Sequence, residues 1–393
     1  AVSGDTVDMS TLACSTITLT TGIPIRVSQG DLHLKGPAAP LHLMINGNDH
    51  SIVLAHYGAG TLDISNLTIV EGNFSSDSLP TGGCIYSKGN VSLTNSVVNS
   101  CTVTSLSMVT PALGGGVYTE GDLTLSYSTI TESLVWSANG APARGGGAAV
   151  MGNFHAYHST ISNNSAFTPN YLGFDGGVYA MGNVVMDGST ISGNYAQKIG
   201  AIEIANNAST ASIINSTISS NTVTLAFGGI VTQTPLTLTN STVAFNRSSI
   251  HVFGTSDGLF TSAPVTLQSS IIADNAGPYG PSDLGGVGAI VISGANNLIT
   301  SSSPPLSVPP GVIRVSACPQ LEPLADNGGP THTHALKHTS PAIDLGDAGI
   351  LLLDQRGAPR TAGAEADIGS IEWQPGETDE RIFVSGFDGL CDQ

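Results

Sequence analysis

Short runs of alternating apolar and polar residues fill most of the chain, and Gly, Asn and Ser separate them. Two runs recur together about every thirty residues: one reads Gly-Gly-x-apolar-Tyr, the other Leu-x-Leu-x-x-Ser-Thr-Ile-Ser-x-Asn. The repeat serine returns at intervals of 25 to 32 residues, at Ser96, Ser128, Ser159, Ser189, Ser216, Ser241 and Ser269. A fixed period indicates stacked supersecondary units, and alternation with period two makes those units β-strands. The pattern therefore predicts a β-solenoid.

Each repeat predicts one coil with three strands. The first strand follows the paired glycines, as in residues 116–118, and the second is the Leu-x-Leu segment, as in residues 123–125. The third strand is Ser-Thr-Ile-Ser. Asn and Gly tolerate a left-handed backbone, so the column of residues between the second and third strands predicts a stacked corner. That column comprises Asn95, Tyr127, His158, Gly188, Asn215 and Asn240.

A second polar column closes the third strand. It comprises Asn164, Asn194, Asn221 and Asn246, and we expect their amides to bond to one another from coil to coil. Cys101 occupies the same position in an earlier coil, and Cys84 begins the first strand of that coil, so we expect a Cys84–Cys101 disulfide. Cys318 and Cys391 form a second, weaker candidate pair, which leaves Cys14 as a buried free thiol. The five cysteines follow no metal-ligand spacing.

Regularity changes along the chain and predicts four segments. Residues 1–75 are N-terminal entry coils, and residues 76–300 are regular coils. Residues 301–374 form a C-terminal coil and cap, and residues 375–393 form a tail. We expect the block 318–374 to fold over the C-terminal end of the solenoid, because the last coil would otherwise expose its strand edges.

Composition narrows the class of partner. Only 10% of residues are charged, and 11 basic against 29 acidic residues give a net charge of −18, which makes nucleic acid a poor partner. No stretch approaches the length of a transmembrane span. The chain starts at Ala1 without Met, and sparse lysine fits an exported protein, so we expect a processed, secreted monomer.

An outward-facing column of the first strands offers the most pocket-like surface. Alternation places Ile85, Val117, Val178 and Ile202 inside, and hence Tyr86, Tyr118, Tyr179 and Glu203 outside. Tyrosine presents a flat apolar face with a polar edge, which suits stacking on sugar rings. A ladder of aromatic rings that only stabilises the solenoid is the alternative interpretation.

Long segments join this column and predict the walls of a groove. The segments are 102–113, 133–145 and 164–175, and they contribute Trp136, Arg144, Tyr171 and Asp175. Together with Tyr86, Tyr118 and Tyr179, the first three are candidate substrate-binding residues. Glu203 breaks the tyrosine rule at one coil, so Glu203 and Asp175 are the candidate catalytic carboxylates for glycoside hydrolysis.

Two histidine-containing clusters are further candidates. His155, Tyr157 and Asp187 fall on one outward face of adjacent coils, where they would do acid/base chemistry or merely form a surface hydrogen-bond ladder. His332, His334 and His338 are close in sequence, but no fourth donor is spaced to complete a metal site. We therefore expect no metal, with Ca²⁺ as the weaker option because no loop carries an Asp-x-Asp run.

The C-terminal block carries a family likeness. Its motifs are the run 319–331, Ser-Pro-Ala-Ile-Asp at 340–344, Asp-Gln-Arg-Gly at 354–357 and Asp-Ile-Gly-Ser-Ile-Glu at 367–372. These resemble the closing module of bacterial right-handed parallel β-helix repeat proteins, the choice-of-anchor Q group. The upstream Asn-Ser-Thr-Ile-Ser repeats resemble the same group. The run 381–388 resembles a C-terminal tag on exported proteins of some Gram-negative bacteria.

The resemblance implies an all-β fold: a single-domain right-handed parallel β-helix of about ten to twelve coils with a C-terminal cap. It also implies a secreted or cell-surface protein of a Gram-negative bacterium. Asp326, Asp344, Asp354, Arg356 and Asp367 belong to the cap motifs, so we expect them to anchor turns. The sequence begins at Ala1, just after the place where we expect the family's leading amphipathic segment to end. The family's frequent cysteine before Asp367 is Ala366 here, so no disulfide is carried over.

Three functions stay open at this stage. The first is a polysaccharide-binding or polysaccharide-degrading protein, a hydrolase or a lyase; this is analogy from fold. The second is a non-enzymatic adhesin or structural surface protein. The third is a passenger module for which the C-terminal tag, rather than the surface of the solenoid, carries the function. A lyase acting on uronates needs cations, and Lys88, Arg144, Lys198 and Arg247 are scattered. A neutral glycan or a hydrolase is therefore the better expectation, unless Ca²⁺ bridges the acidic surface.

Overall fold

The computed structural model describes residues 1–376 apart from 26–27, 41, 171, 251–254, 289 and 304–305. The regular elements of this described part are all β-strands, and they make about ten turns of a parallel β-solenoid. The predicted fold class, a right-handed parallel β-helix, is confirmed. Contacts divide the chain into two units. The first is Ala1–Asn183 with Gly193–Lys198, and the second comprises the described residues of Val184–Ser192 and Ile199–Gln393.

The first unit contains three parallel sheets, one for each predicted strand of the coil. The first-strand sheet is Ile23–Ile25, Leu54–His56, Ile85–Ser87, Val117–Thr119, Ala148–Val150 and Val178–Ala180. The second-strand sheet is Asp5–Asp8, Leu32–Lys35, Thr61–Ser65, Asn90–Thr94, Leu123–Ser126 and Phe154–Tyr157. The third-strand sheet is Thr16–Thr18, Leu43–Asn46, Leu67–Val70, Val97–Asn99, Thr129–Thr131 and Thr160–Ser162.

The segments expected to be loops add further strands to the first unit. The fourth-strand sheet is Asn73–Ser76, Thr102–Ser105, Leu134–Ser137, Ser165–Phe167 and Tyr195–Ala196. A short sheet follows it, formed by Ala112–Leu113, Ala143–Arg144 and Gly173–Phe174. Val103, Ala112, Val135 and Ala143 are buried between these two sheets. The prediction of three strands per coil was therefore wrong here, because alternation within the long segments gives them a small core of their own.

The described strands of the second unit continue the first-, second-, third- and fourth-strand sheets. Its first-strand sheet is Ile202–Ile204, Ile230–Thr232, Leu259–Thr261 and Leu284–Gly286. Its second-strand sheet is Val184–Asp187, Ala211–Ile214, Leu236–Thr239, Val265–Gln268 and Ile292–Ala295. Its third-strand sheet is Thr190–Ser192, Thr217–Ser219, Thr242–Ala244, Ile271–Ala273, Asn297–Ile299 and Ile313–Val315. Its fourth-strand sheet is Thr222–Val223, Arg247–Ser248, Ala276–Gly277 and Gly280–Pro281.

Register keeps like residues together inside each coil. Ile85 is paired with Val117 in the first-strand sheet, and Val98 with Ile130 in the third-strand sheet; all four side chains are fully buried. Burial of one such side chain contributes about 1.5–3 kcal/mol. The paired glycines are required for steric reasons. A Cβ on Gly115 would lie 2.2 Å from the carbonyl oxygen of Gly146 in the next coil.

The predicted corner is confirmed in both units. The backbone is left-handed at every position of the column, with φ values of 47° at Asn95, 50° at Tyr127, 48° at His158, 61° at Gly188, 44° at Asn215 and 42° at Asn240. The next residue is the repeat serine. Its hydroxyl accepts a hydrogen bond from the backbone N–H of the equivalent serine in the preceding coil. Ser128 accepts from Ser96 at 3.1 Å, and Ser270 accepts from Ser241 at 3.2 Å. The repeat serine of the last coil is thus Ser270. Ser269, which we had assigned, is the corner residue there, with φ 47°.

The asparagine column forms buried amide ladders, as predicted. In the first unit Asn164 Nδ2 donates to Asn194 Oδ1 at 3.0 Å. In the second unit Asn221 donates to Asn246 and Asn246 to Asn275, each at 2.9 Å. These contacts satisfy polar groups where the chain turns away from each third strand, which removes the cost of burying them.

Cys84 and Cys101 form the predicted disulfide, with a Cα–Cα distance of 5.4 Å. Cys14 is free but exposed, so its assignment as a buried thiol was wrong; Val7 and Ile23 of the same first coil are also partly exposed. Cys318 is bonded to none of the described cysteines, and Cys391 lies outside the described residues. The predicted tail, 375–393, lies almost entirely outside them as well.

The C-terminal block lies along the side of its unit, and our expectation that it folds over the end was wrong. It covers the outer face of the third-strand sheet, where Thr190 Oγ1 donates to the carbonyl of His332 and Ser370 N to Thr242 Oγ1. Ile271 and Ala244 pack in one buried cluster with block residues. The block contributes Leu321, Leu336, Ala342, Ile368 and Ile371 to that cluster. Outer positions of the third strands are therefore buried in this unit, whereas the equivalent Val97 and Thr129 are partly exposed in the first unit.

The charged residues of the cap motifs anchor turns, as predicted. Asp354 Oδ1 accepts the backbone N–H groups of Arg356 and Ala358 at 2.9 and 3.0 Å. The other motif carboxylates, Asp326, Asp344 and Asp367, accept backbone N–H groups within the block at 2.6–3.0 Å. Arg356 pairs with Asp354 at 3.0 Å. These contacts assign the motif residues to folding of the block.

Candidate functional site

The tyrosine column stands on the outer face of the first-strand sheet in the first unit. Strand register pairs Tyr86 with Tyr118, and the two rings stack with centroids 5.8 Å apart and an interplanar angle of 4°. Tyr57 adds a third ring, 5.8 Å from Tyr86 and tilted by 53°. Tyr57 is 42% exposed, Tyr86 is half-buried and Tyr118 is 6% exposed. The exposed part of the surface therefore lies at Tyr57 and Tyr86.

Packing explains why the column is only partly exposed. Leu113 of the short sheet packs with Tyr118 and Ala149, and Met151 and Tyr179 pack against the same cluster. Period-two alternation alone indicated an exposed column. The segments that we expected to wall a groove instead fold down onto part of its floor.

Tyr86 is polarised by its surroundings. Its hydroxyl donates to Glu120 Oε1 at 3.5 Å. Burial raises the pKa of Tyr86 to about 12, and the nearby Glu120 carboxylate adds to the effect. Burial likewise raises the pKa of Tyr118. Both phenols are therefore neutral hydrogen-bonding groups at physiological pH, suited to contact with hydroxylated ligands.

A shallow hollow adjoins Tyr57. At this end of the column the outward positions are Pro24 and Ala55, and the register places Ala55 beside Tyr86. The small residues leave a space of about 220 Å³, lined by Gly22, Pro24, Ser51, Ile52, Ala55, Tyr57 and Phe74. We missed this feature in the sequence. The sequence did contain an indication of it, because Pro24 and Ala55, like Glu203, replace tyrosine at the outward position of the first strand.

Arg144 and Asp175 lie together in the first unit. Arg144 Nη1 is 3.3 Å from Asp175 Oδ2, and the Asp175 side chain is fully buried. The guanidinium also lies over two rings, 4.4 Å from the centroid of Phe174 and 4.7 Å from that of Tyr179. Lys198 lies over Phe174 at 4.4 Å. Two cations thus flank one aromatic ring at this end of the column.

Trp136 lies on the fourth-strand sheet, where it stacks on Phe167 with centroids 5.1 Å apart. It is therefore placed on a different sheet from the tyrosine column. Tyr171, the remaining predicted wall residue, lies outside the described residues.

Glu203 belongs to the second unit, whereas Asp175 belongs to the first. The Glu203 side chain is 7% exposed, and Gln233 Nε2 donates to its Oε1 at 3.0 Å. Each carboxylate therefore has its own buried environment. Their joint role as an acid/base pair stays a prediction.

The second predicted cluster is divided in the same way. His155 and Tyr157 stand on the second-strand sheet of the first unit with ring centroids 6.3 Å apart, and Asp187 belongs to the second unit. Tyr157 is 37% exposed. Tyr127 and His158 stack nearby at the corner, at 5.0 Å. These contacts fit the surface-ladder interpretation, and acid/base work at this cluster stays a prediction.

His334 is engaged in folding. Its Nδ1 lies 2.7 Å from the carbonyl oxygen of Glu322, and its Nε2 lies 2.7 Å from Ser219 Oγ. Burial lowers the pKa of His334 to about 4. Both ring nitrogens are occupied, so this histidine does not offer a metal-binding atom. Across the described ranges, no group of three or more His, Cys, Asp or Glu side chains is arranged to hold a metal ion.

Comparison with known proteins does not identify the chain. It has no significant match to any family model, curated protein or solved structure. What the structure shows is a parallel β-solenoid with an aromatic column on one strand face. The described part of the chain holds no helix with the length and hydropathy that a membrane crossing requires.

Proposed function

We propose that this chain is an exported surface β-helix protein of the choice-of-anchor Q group, from a Gram-negative bacterium, which binds a polysaccharide as a monomer. The observation that supports binding is the stacked pair Tyr86–Tyr118 with the exposed ring of Tyr57 beside it. Aromatic rings held in fixed positions present apolar area at little entropic cost, and their hydroxyls offer polar edges. The family assignment rests on the C-terminal motifs.

Binding is favoured over hydrolysis. A carboxylate that acts on a glycosidic bond must reach the bond, as a proton donor, a base or a nucleophile. Asp175 is fully buried in an ion pair with Arg144, and Glu203 is 7% exposed and hydrogen-bonded to Gln233. These environments support structural roles for both carboxylates. The proposal is therefore a non-enzymatic binder or adhesin rather than a hydrolase or a lyase.

The charges favour a neutral glycan. Glu120 lies at the column, and the chain carries a net charge of −18, so a polyanionic ligand would be repelled. Arg144 and Lys198 are engaged with Phe174, and Asp175 compensates Arg144. A uronate lyase needs uncompensated cations at its substrate. This part of the surface supplies uncharged aromatic area instead.

A glycan array combined with an assay for released reducing sugar tests the proposal. We expect binding of one or more neutral polysaccharides and no release. The variant Tyr86→Ala should lose about five- to thirty-fold in affinity, because one stacked ring contributes about 1–2 kcal/mol. Tyr127→Ala is the matched control, since Tyr127 is an exposed tyrosine of the same unit outside the column.

The outcomes separate the alternatives. Equal loss in the two variants would show that the column is not the site, and silence on the array would remove the carbohydrate hypothesis. Release of reducing sugar would restore the hydrolase. In that case Glu203→Gln and Asp175→Asn should abolish turnover; full activity in both variants would exclude them from catalysis.

A further inference from the structure

The tyrosine column and the hollow differ in shape. Tyr86 is half-buried, stacks on the buried ring of Tyr118 and presents an open patch, whereas Ala55 and Pro24 form the floor of a recess with Tyr57 and Phe74 beside it. A flat ring stacks on many sugars, because stacking depends on area more than on the position of each hydroxyl. A bounded recess restricts the size and outline of the ring that enters. Discrimination therefore belongs to the recess.

We propose that the hollow is the specificity-determining subsite of the glycan-binding surface and seats one uncharged pyranose ring. This inference rests on the proposed function and adds the substrate class. Neighbouring sugars of the same glycan contact the exposed part of Tyr86, where they add affinity without selecting among glycans.

The volume sets the size of the occupant. The hollow measures about 220 Å³. Pockets for drug-sized ligands measure about 300–1,000 Å³, so this one takes a single ring rather than an oligosaccharide. Further rings of a chain would have to lie outside it, and Tyr86 is the adjacent surface, 5.8 Å from Tyr57.

The lining sets the chemistry of the occupant. The residues around the hollow carry no charge at neutral pH: Gly, Pro, Ser, Ile, Ala, Tyr and Phe. Tyr57 and Phe74 supply apolar faces for the C–H groups of a sugar, while the hydroxyls of Tyr57 and Ser51 supply polar contacts. A carboxylated sugar would lose hydration without gaining a cation, which costs binding free energy.

Ala55→Tyr is the decisive variant, because the fold already tolerates tyrosine at this column position in the adjacent coil. The new ring extends the stack from Tyr86 and fills the hollow. Thr124→Tyr is the matched control; it adds a tyrosine to an outward position of the second-strand sheet. Circular dichroism and thermal unfolding confirm that both variants fold.

The glycan array and saturation-transfer NMR provide the readouts. The NMR probes are methyl β-glucopyranoside, methyl α-mannopyranoside, methyl β-galactopyranoside and methyl β-glucuronoside. We expect the wild type to prefer one neutral probe and to bind the glucuronoside at least ten-fold more weakly. Ala55→Tyr should lose that preference, bind the preferred glycan at least ten-fold more weakly and spread its array signal over more glycans. Thr124→Tyr should behave as the wild type.

Two results overturn the inference in distinguishable ways. Wild-type selectivity and affinity in Ala55→Tyr, with Tyr86→Ala still impaired, would leave the proposed function standing and remove the subsite. Absence of binding by the wild type to both the array and the four methyl glycosides would remove the function and the subsite together.

Discussion

Ser219 Oγ lies 2.7 Å from Nε2 of His334, although 115 residues separate the two along the chain. The contact joins a third strand of the second unit to its C-terminal block. The carbonyl oxygen of Glu322 can only accept a hydrogen bond, so we assign the imidazole proton to Nδ1 of His334, which donates to it. The unprotonated Nε2 then accepts a hydrogen bond from the hydroxyl of Ser219. This pairing requires a neutral imidazole, and it makes the block sensitive to acid.

Acid should loosen the block through His334. Burial lowers its folded-state pKa to about 4, below the ordinary value of 6.5. A depressed pKa contributes stability that is present above pH 6.5 and is lost as the pH falls through 4. Between pH 7 and pH 4 the wild type should lose about 3 kcal/mol more unfolding free energy than His334→Gln. Urea unfolding at both pH values measures this; parallel losses in the two proteins would contradict it.

Asp257 should act in the opposite direction. Burial raises its pKa from 3.8 to about 6, although Ser248 donates to its Oδ2 at 3.1 Å. A raised pKa contributes stability that is present below pH 3.8 and is lost as the pH rises through 6. Asp257→Asn removes the titrating carboxyl group. Between pH 4 and pH 7 the wild type should therefore lose about 2–3 kcal/mol more unfolding free energy than this variant. Urea unfolding of both proteins between pH 4 and pH 7 measures this difference. Equal pH dependence of the two unfolding free energies would show that the pKa of Asp257 is not raised.

The cover on the third-strand sheet predicts a contrast between two equivalent positions. Ile271 is fully buried under the block, whereas Val97 holds the same outward position in the first unit and is partly exposed. Ile271→Thr should lower the unfolding free energy by about 1–3 kcal/mol, because a hydroxyl enters an apolar cluster. Val97→Thr should lower it by less than about 0.5 kcal/mol. Equal costs in thermal unfolding would mean that the block does not cover Ile271.

Asn246 should be among the most sensitive polar residues. Its amide donates to the carbonyl of Ile218 and to Asn275, and accepts the backbone and side-chain N–H groups of Asn221. Asn246→Ala leaves several buried groups unsatisfied and should cost about 3–5 kcal/mol in urea unfolding. The control Thr222→Ala changes an exposed residue of the same unit and should cost less than about 0.5 kcal/mol. A small effect of Asn246→Ala would show that the ladder is not a major source of stability.

The Cys84–Cys101 bridge closes a loop with a sequence separation of 17 residues. The double variant Cys84→Ala, Cys101→Ser should lose about 3 kcal/mol of unfolding free energy, chiefly because the unfolded chain regains freedom. Reductant should lower the wild type to the same value and leave the double variant unchanged. Alkylation without reductant should label neither cysteine, and mass spectrometry that found both labelled would exclude the bridge.

The repeat and the residues that stack in register could be predicted from the amino-acid sequence. The corner at Asn95 and the amide ladder at Asn164 follow from one rule, because residues one period apart become neighbours in a parallel solenoid. The disulfide at Cys101 follows from the coil itself, because Cys84 begins and Cys101 ends the strands of one coil and the two meet across it. The cap carboxylates were predictable for a related reason. Asp354 bonds to the backbone two and four residues on, so its contacts are local.

The packing against the outer faces of the sheets could not be predicted from the sequence and is seen only in the folded chain. Tyr118 and Ile271 both point outward by period-two alternation, yet Leu113 covers the first and the C-terminal block covers the second. Alternation reports which face a side chain occupies and carries no information on which distant segment packs there. The apolar outward residues Ala244 and Ile271 were the available signal. The hollow beside Tyr57 likewise arises from two small residues, Pro24 and Ala55, which become neighbours only when the coils stack.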